Sequence, residues 1–195
     1  MHGLINKAVQ TFVCHTYGND RWSSVASAAG LEPPEFEAML WYDDALTDAV
    51  LDALRRELAH NLDDVLEDLG TYLVSHPGVA RLRRLLRFSG VTYVDFLHSL
   101  DDLPDRARLA VADLNLPTLE LREHPAGEFS LTVGSGIPGF ANVMMGILRT
   151  MADDHGALAF IEYKGRSQGS DVIAIRLVDV SFTKGREFDL GAAAP

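Results

Sequence analysis

Apolar side chains recur every three or four residues through the first half of the chain, which is the spacing of helices that each bury one face. The clearest apolar faces run over Leu4–Phe12, Leu46–Leu58, Leu66–Leu73 and Tyr93–Leu103. Asp43 and Asp44 suit the N-terminus of the second of these helices, and Thr92 that of the fourth. Pro33–Pro34 predicts the first turn of a further short helix that reaches about Leu40.

Helix start and stop signals also bound the Leu66–Leu73 helix and two further segments of this half. Asn19–Asp20 precedes a short helix over 21–29 that stops at Gly30, and Asp63–Asp64 opens a helix that His76–Gly78 breaks. Residues 79–88 form a short basic helix. Its basic side chains are Arg81, Arg83, Arg84 and Arg87.

After Pro117 the hydrophobic period changes from a helical one to two, which is typical of strands with one buried face. The predicted strands lie around Leu119–Leu121, Phe129–Val133, 157–164 and 171–180. A helix from Pro138 to about His155 separates the two pairs. The order of elements is therefore helices, two strands, a helix and two strands.

The composition narrows the function. A net charge of −11 argues against a nucleic-acid binder, which needs a basic face. The simpler interpretation of this charge is solubility, and the alternative is an acidic docking face for a basic partner. The single cysteine, Cys14, excludes an intramolecular disulfide, and neither an apolar run of 18 residues nor a signal peptide is seen. We expect a cytoplasmic protein.

Four short segments carry a recognisable pattern: Met1–Ile5, Tyr17–Asp20, Leu97–Pro104 (LHSLDDLP) and Leu131–Phe140 (LTVGSGIPGF). In their order and spacing they resemble the heme-nitric oxide/oxygen-binding (H-NOX) sensor family, from Met1 to about Val180. The resemblance implies an α+β fold in which a helical N-terminal lobe packs on an α/β C-terminal lobe with a small antiparallel sheet. We expect one domain over 1–185, with lobes of about 1–90 and 91–185, and a disordered tail over 186–195.

The chain departs from the family at the residues that hold the heme. The family pattern F-L-x-N-L-D-x-L-H ends in the His that binds iron, and Pro104 stands there in this chain. In the pattern Y-x-S-x-R, whose side chains hold the propionates, Val133 replaces the Tyr and Ile137 the Arg, while Ser135 is kept. The Ser135 between two glycines also suits an ordinary turn.

Pro104 has no donor nitrogen, so it cannot ligate iron, and it favours a helix that ends, kinks or restarts at 103–104. Asp101 and Asp102 are suited to cap such a restart. Burying a propionate against Val133 and Ile137 would leave a charge without a partner. The sequence therefore predicts no cofactor, with heme on an unorthodox ligand as the alternative.

Other candidate ligands and enzyme motifs are weak. His98 points about 120° away from position 104 on a helix, which favours a surface residue. His15 and Cys14 are adjacent on the first helix and point apart, and the remaining histidines lie near the N-terminus or at predicted element ends. We find no metal-ligand spacing, phosphate loop, Gly-x-Ser-x-Gly or HExxH motif, and the paired aspartates suit helix caps. We therefore predict no enzymatic activity.

A heme-sized cavity must be filled by larger side chains or by another ligand. The resemblance places a candidate lining on the first helix, the 92–103 helix, the two family motifs and the 138–155 helix. The candidates are Ile5, Val9, Phe12, Leu97, Leu100, Pro117, Val133, Ile137, Met144 and Leu148. They suit an apolar small molecule such as a lipid tail or a flat hydrophobic compound, and they also suit an ordinary core.

The sequence thus predicts a stand-alone, degenerate H-NOX-like regulatory domain that binds an apolar small molecule or a signalling partner. The alternative is a true heme sensor of nitric oxide or oxygen. The resemblance implies a histidine kinase, or a cyclic-nucleotide or cyclic-dinucleotide enzyme, as a separate partner. The Arg81–Arg87 helix is a candidate docking patch or a solvated helix face.

Overall fold

The structure is a computed structural model that describes residues 1–79, 86 and 90–185. Its helices are α1 Gly3–Tyr17, α2 Asn19–Ala28, α3 Asp44–Leu58, α4 Leu62–Ser75, α5 Tyr93–His98, α6 Leu103–Ala110 and α7 Phe140–His155. Its strands are β1 Leu119–His124, β2 Glu128–Val133, β3 Leu158–Ser167 and β4 Ser170–Asp179, with 3₁₀ turns at Pro77–Val79 and Pro125–Gly127. The arginines of the predicted 79–88 helix and the predicted tail lie outside the described residues.

The fold is α+β, as predicted. The four strands form one antiparallel sheet in the order β1-β2-β4-β3. The buried side chains of β2 alternate along the strand, so that Leu131 lies opposite Ile173 and Phe129 opposite Ile175. This apolar face covers α7, whose own buried side includes Met144, Leu148 and Met151. None of the helices in the described ranges is long and apolar enough to cross a bilayer.

Helices α4 and α7 join the helical half to the sheet half through two glycines. A Cβ atom at Gly70 would lie 2.0 Å from the carbonyl oxygen of Val143, and one at Gly146 would lie 2.0 Å from that of Glu67. Only glycine permits this backbone approach. An ion pair between Arg149 and Glu67 spans the same contact.

The predicted short helix from Pro33 to about Leu40 is wrong. This segment is an irregular loop whose polar groups are bonded by residues distant in sequence. Phe36 N donates to Gln10 Oε1 (2.9 Å), and Trp22 Nε1 donates to Pro34 O (2.7 Å). The Phe36 side chain is fully buried. Tertiary contacts therefore override the local signal of the two prolines.

Candidate functional site

The segment that ends in Pro104 is built from two short helices with a break between them. Thr92 caps α5 with a capping box: its Oγ1 accepts from Asp95 N (3.1 Å), and Asp95 Oδ2 accepts from Thr92 N (2.9 Å). The hydrogen bonds from Thr92 N–H and Oγ1 lower the pKa of Asp95. Helix α6 then restarts at Leu103, with Pro104 buried in its first turn, as expected for a residue without an N–H group.

The carboxylates before α6 act differently from the prediction. Asp102 occupies the N-cap position, but its side chain makes no cap hydrogen bond, since its backbone is helical rather than extended. Asp101 Oδ1 instead accepts from Leu121 N (2.6 Å) and ties the break to β1. Arg106 Nη2 donates to Ser99 O (3.0 Å) and joins α6 back to α5. These two hydrogen bonds therefore hold the beginning of α6 against β1 and α5.

Most of the candidate lining residues lie in a closed apolar interior. The side chains of Leu97, Leu100, Val133, Met144 and Leu148 are 0% exposed. Val9 and Phe12 of α1 are also buried. Tyr93 adds a buried hydroxyl that donates to Leu148 O (3.1 Å). We call the buried residues Tyr93, Leu97, Leu100, Val133, Met144 and Leu148 the interior core.

A pocket of about 280 Å³ lies at the beginning of α1. Four segments form it: the start of α1, residues 41–44 where α3 begins, the loop between α6 and β1, and the loop after β2. Its lining residues are Met1, His2, Ile5, Trp41, Asp44, Asn115, Leu116, Pro117, Ser135, Gly136 and Ile137. Among the residues singled out by the sequence, it brings together Ile5, Pro117, Ser135 and Ile137. We call it the N-terminal pocket.

His2 is a pocket residue that the sequence reasoning missed. It is only 3% exposed, and its Nδ1 accepts a hydrogen bond from Leu4 N (3.1 Å), so that it acts as the N-cap of α1. Its ring meets the edge of Trp41, with the ring centroids 5.3 Å apart. Because Nδ1 is an acceptor here, the neutral ring carries its proton on Nε2. The sequence feature that could have indicated this role is a His directly before Gly3, where the apolar face of α1 begins.

The other candidate ligands lie outside the N-terminal pocket. His98 is half-exposed, with its Nε2 3.3 Å from Glu123 Oε2. His15 Nδ1 is 2.7 Å from Tyr72 Oη, and its ring lies against His76. Burial raises the pKa of the Cys14 thiol, which disfavours the thiolate that binds metals.

His155, at the end of α7, contacts other groups of the protein. His155 Nδ1 is 2.8 Å from Met151 O, and its ring stacks on Phe96. Across residues 1–79, 86 and 90–185, no group of three or more His, Cys, Asp or Glu side chains is arranged to hold a metal ion.

Comparison with known families gives one match over most of the chain. The model of the haem-NO-binding family (HNOB) matches residues 2–159. Soluble guanylate cyclase gcy-32 of Caenorhabditis elegans is 27% identical over 155 residues, covering 78% of this chain and 23% of that protein. Soluble guanylate cyclase 89Db of Drosophila melanogaster is 21% identical over 185 residues, covering 95% and 28%. The chain thus spans about a quarter of the length of these relatives.

Solved structures of similar fold are H-NOX proteins. A mutant H-NOX protein from S. oneidensis in the Fe(II) state gives a TM-score of 0.78 at 14% identity, covering 93% of this chain and 98% of that chain. The unliganded Fe(II) H-NOX protein from K. algicida gives 0.74 at 17% identity, covering 92% and 97%. At this identity the likeness shows the fold.

Proposed function

The chain belongs to the haem-NO-binding family, and from that premise we propose that it is a regulatory sensor domain whose ligand is not a His-ligated heme. The family's domain is a sensor and is not itself catalytic. The observation that carries the proposal is Pro104, which lies buried in the first turn of α6. The resemblance of the Leu97–Pro104 motif to the family pattern aligns this residue with the iron-binding His.

The residues at the family's heme positions do not fit a heme held in the family's way. Pro104 offers no nitrogen to iron, and Val133 and Ile137 offer no hydrogen bond to a propionate. An unpaired buried carboxylate costs several kcal/mol. The interior core is also closed, with Leu100 and Leu148 fully excluded from solvent. These four observations together support a sensor that works without this cofactor.

The N-terminal pocket is our candidate for the ligand site. Its volume of about 280 Å³ is close to the lower end of small-molecule sites, which begin at about 300 Å³. Ile5, Pro117 and Ile137 provide apolar walls, while Ser135 and the Nε2–H of His2 provide hydrogen-bonding groups. We therefore propose a small, mostly apolar molecule that carries a hydrogen-bond acceptor.

The proposal also includes the class of enzyme that the sensor domain regulates. The relatives are soluble guanylate cyclases, which favours regulation of a cyclic-nucleotide enzyme over regulation of a histidine kinase or a cyclic-dinucleotide enzyme. The cytoplasmic location expected from the sequence belongs to the same proposal.

The first experiment is an absorption spectrum of protein expressed with heme supplementation and then desalted. We expect no stoichiometric band near 400 nm, the approximate heme region, because no residue at the family's positions binds iron. A stoichiometric band that shifts with nitric oxide would overturn the proposal and favour a heme sensor with an unorthodox ligand. His15→Ala and Cys14→Ala would then identify that ligand.

The pocket is tested separately. Small uncharged aromatic compounds are screened by ligand-observed NMR against the wild type and against Ile137→Trp, in which the larger side chain occupies the pocket. Val91→Trp is the matched control, since Val91 is exposed and lies outside the pocket. Ligands should be lost only with Ile137→Trp. Equal binding to both variants would contradict the pocket assignment.

A further inference from the structure

Three consecutive large apolar side chains are exposed in the loop before α3. Met39 is 73% exposed, Leu40 55% and Trp41 57%. We call them the 39–41 loop. Single exposed apolar residues are ordinary on a protein surface, but a contiguous group with a polar rim marks an interaction site. Methionine and tryptophan are also enriched at the centres of protein interfaces.

The backbone of this loop is fixed by hydrogen bonds. Gly3 N donates to Leu40 O (2.7 Å), and Tyr42 N donates to Met1 O (2.9 Å). Glu37 N donates to Tyr42 Oη (2.8 Å) on the other side of the apolar residues. The backbone that carries the exposed side chains is therefore held in position before any partner arrives, which lowers the ordering cost of binding.

The charge around the loop is mainly negative. From Trp22 to Leu54 the chain carries no Lys, Arg or His and seven carboxylates, namely Glu32, Glu35, Glu37, Asp43, Asp44, Asp48 and Asp52. The first five of these flank the 39–41 loop and are exposed. Lys7 pairs with Glu35 (2.8 Å), and the amino group of Met1 lies 2.6 Å from Asp44. The rim of the apolar patch is therefore net acidic.

We propose that the 39–41 loop is the docking site for a basic amphipathic segment of a partner protein. The apolar face of that segment covers Met39, Leu40 and Trp41, and its Lys and Arg side chains meet the carboxylates of the rim. Complementary charge of this kind steers association and selects the partner. The proposal does not depend on which molecule the N-terminal pocket binds, although Trp41 borders both surfaces.

Two other occupants fit the same surface less well. An anionic membrane would be repelled by the carboxylates, because basic residues attract such surfaces and acidic ones do not. A second copy docked by the same loop would place the two acidic rims against each other, in a chain with a net charge of −11.

The probe is a synthetic amphipathic helix of leucine and lysine without tryptophan, added to the full chain. Its binding is followed by tryptophan fluorescence, since Trp41 is exposed and Trp22 is buried. We expect a saturable blue shift that weakens as salt is raised. Trp41→Phe should remove the shift while calorimetry still detects binding. The same helix with glutamate in place of lysine should not bind.

The deciding variant is Met39→Ser with Leu40→Ser, which leaves the backbone hydrogen bonds of the loop in place. We expect binding to weaken about tenfold or more, as for central interface residues. The matched control is Val91→Ser with Leu109→Ser, which removes two apolar side chains elsewhere that are even more exposed. If both double variants bind like the wild type, or both weaken equally, the proposal is wrong.

The role of the acidic rim is tested by removing its charges. Glu32→Gln with Glu37→Gln should weaken binding and reduce its salt dependence, while Asp113→Asn should change neither.

Two results would overturn the proposal in favour of another occupant. One is binding to phosphatidylserine-containing vesicles that is lost in the Met39 and Leu40 variant. The other is a dimer, seen by light scattering, that dissociates in that variant.

Discussion

The interior core and the N-terminal pocket are built from the same types of apolar residue but differ in how they are closed. In the interior core, Leu100, Val133 and Leu148 are fully excluded from solvent. In the N-terminal pocket, Ile5 and Ile137 remain half-buried beside polar groups of His2 and Ser135. One region is closed by packing, while the other keeps space and hydrogen-bonding groups.

This difference separates a structural role from a binding role. A closed apolar core contributes to the free energy of folding through packing, and a change of one side chain there affects stability. A half-open pocket contributes less to folding, so changes there should affect what the domain binds. The comparison therefore predicts where stability and ligand binding can be altered independently.

The largest expected change in stability is the difference between shortening a side chain in the interior core and shortening one in the N-terminal pocket. Leu100→Ala should lower the free energy of unfolding by about 3 kcal/mol, because it removes buried contacts and leaves a cavity. Ile5→Ala should lower it by about 1 kcal/mol or less, because Ile5 is only partly buried. Urea unfolding, followed by circular dichroism, measures both. Equal losses would mean that the pocket is part of the packed core.

A smaller effect is expected at the wall of the N-terminal pocket. His2→Ala removes the N-cap of α1 as well as a ring that packs on Trp41, whereas His2→Asn keeps a side chain able to accept from Leu4 N. The Ala variant should therefore be less stable than the Asn variant by about 1 kcal/mol. Thermal unfolding of the two variants gives this difference directly. If they unfold alike, the His2 cap contributes nothing to α1.

The smallest effect concerns pH and the capping box beside the interior core. Because hydrogen bonds from Thr92 lower the pKa of Asp95, the native chain binds that proton less readily than the unfolded chain does. The stabilisation from Asp95 is therefore present above the ordinary range of an aspartate pKa and is lost as the pH falls through the lowered native value. Asp95→Asn should differ from the wild type at neutral pH and approach it on acidification.

Urea unfolding of the wild type and Asp95→Asn, from neutral pH down to about pH 3, measures this convergence. A difference between the two proteins that stays constant over this range would show that the charge of Asp95 does not contribute to the cap.

The features that could be predicted from sequence depend on neighbouring residues. The capping box of Thr92 and Asp95 is a local pattern, and Pro104 in the first turn of a restarted helix follows from the missing N–H group. The loop at Pro33–Pro34 could not be predicted in this way, since its hydrogen bonds come from Gln10 and Trp22.

The candidate site could be predicted only in part, for the same reason. Ile5 and Leu97 are both apolar residues on helices, and nothing in their type shows that one borders a pocket while the other is fully buried. That difference depends on which distant segments pack over α1 and over α5 in three dimensions. His2 was missed because a capping role depends on the backbone conformation of the residues that follow it.

Trp41 belongs to two surfaces at once, since it lines the N-terminal pocket and lies exposed in the 39–41 loop. A molecule in the pocket and a protein on the loop would therefore both contact one indole ring. Where two such contacts favour the same position of the ring, each raises the affinity of the other by an equal factor, because thermodynamic coupling between two binding sites is reciprocal. The N-terminal pocket and the 39–41 loop would then be linked allosterically in both directions through one aromatic side chain.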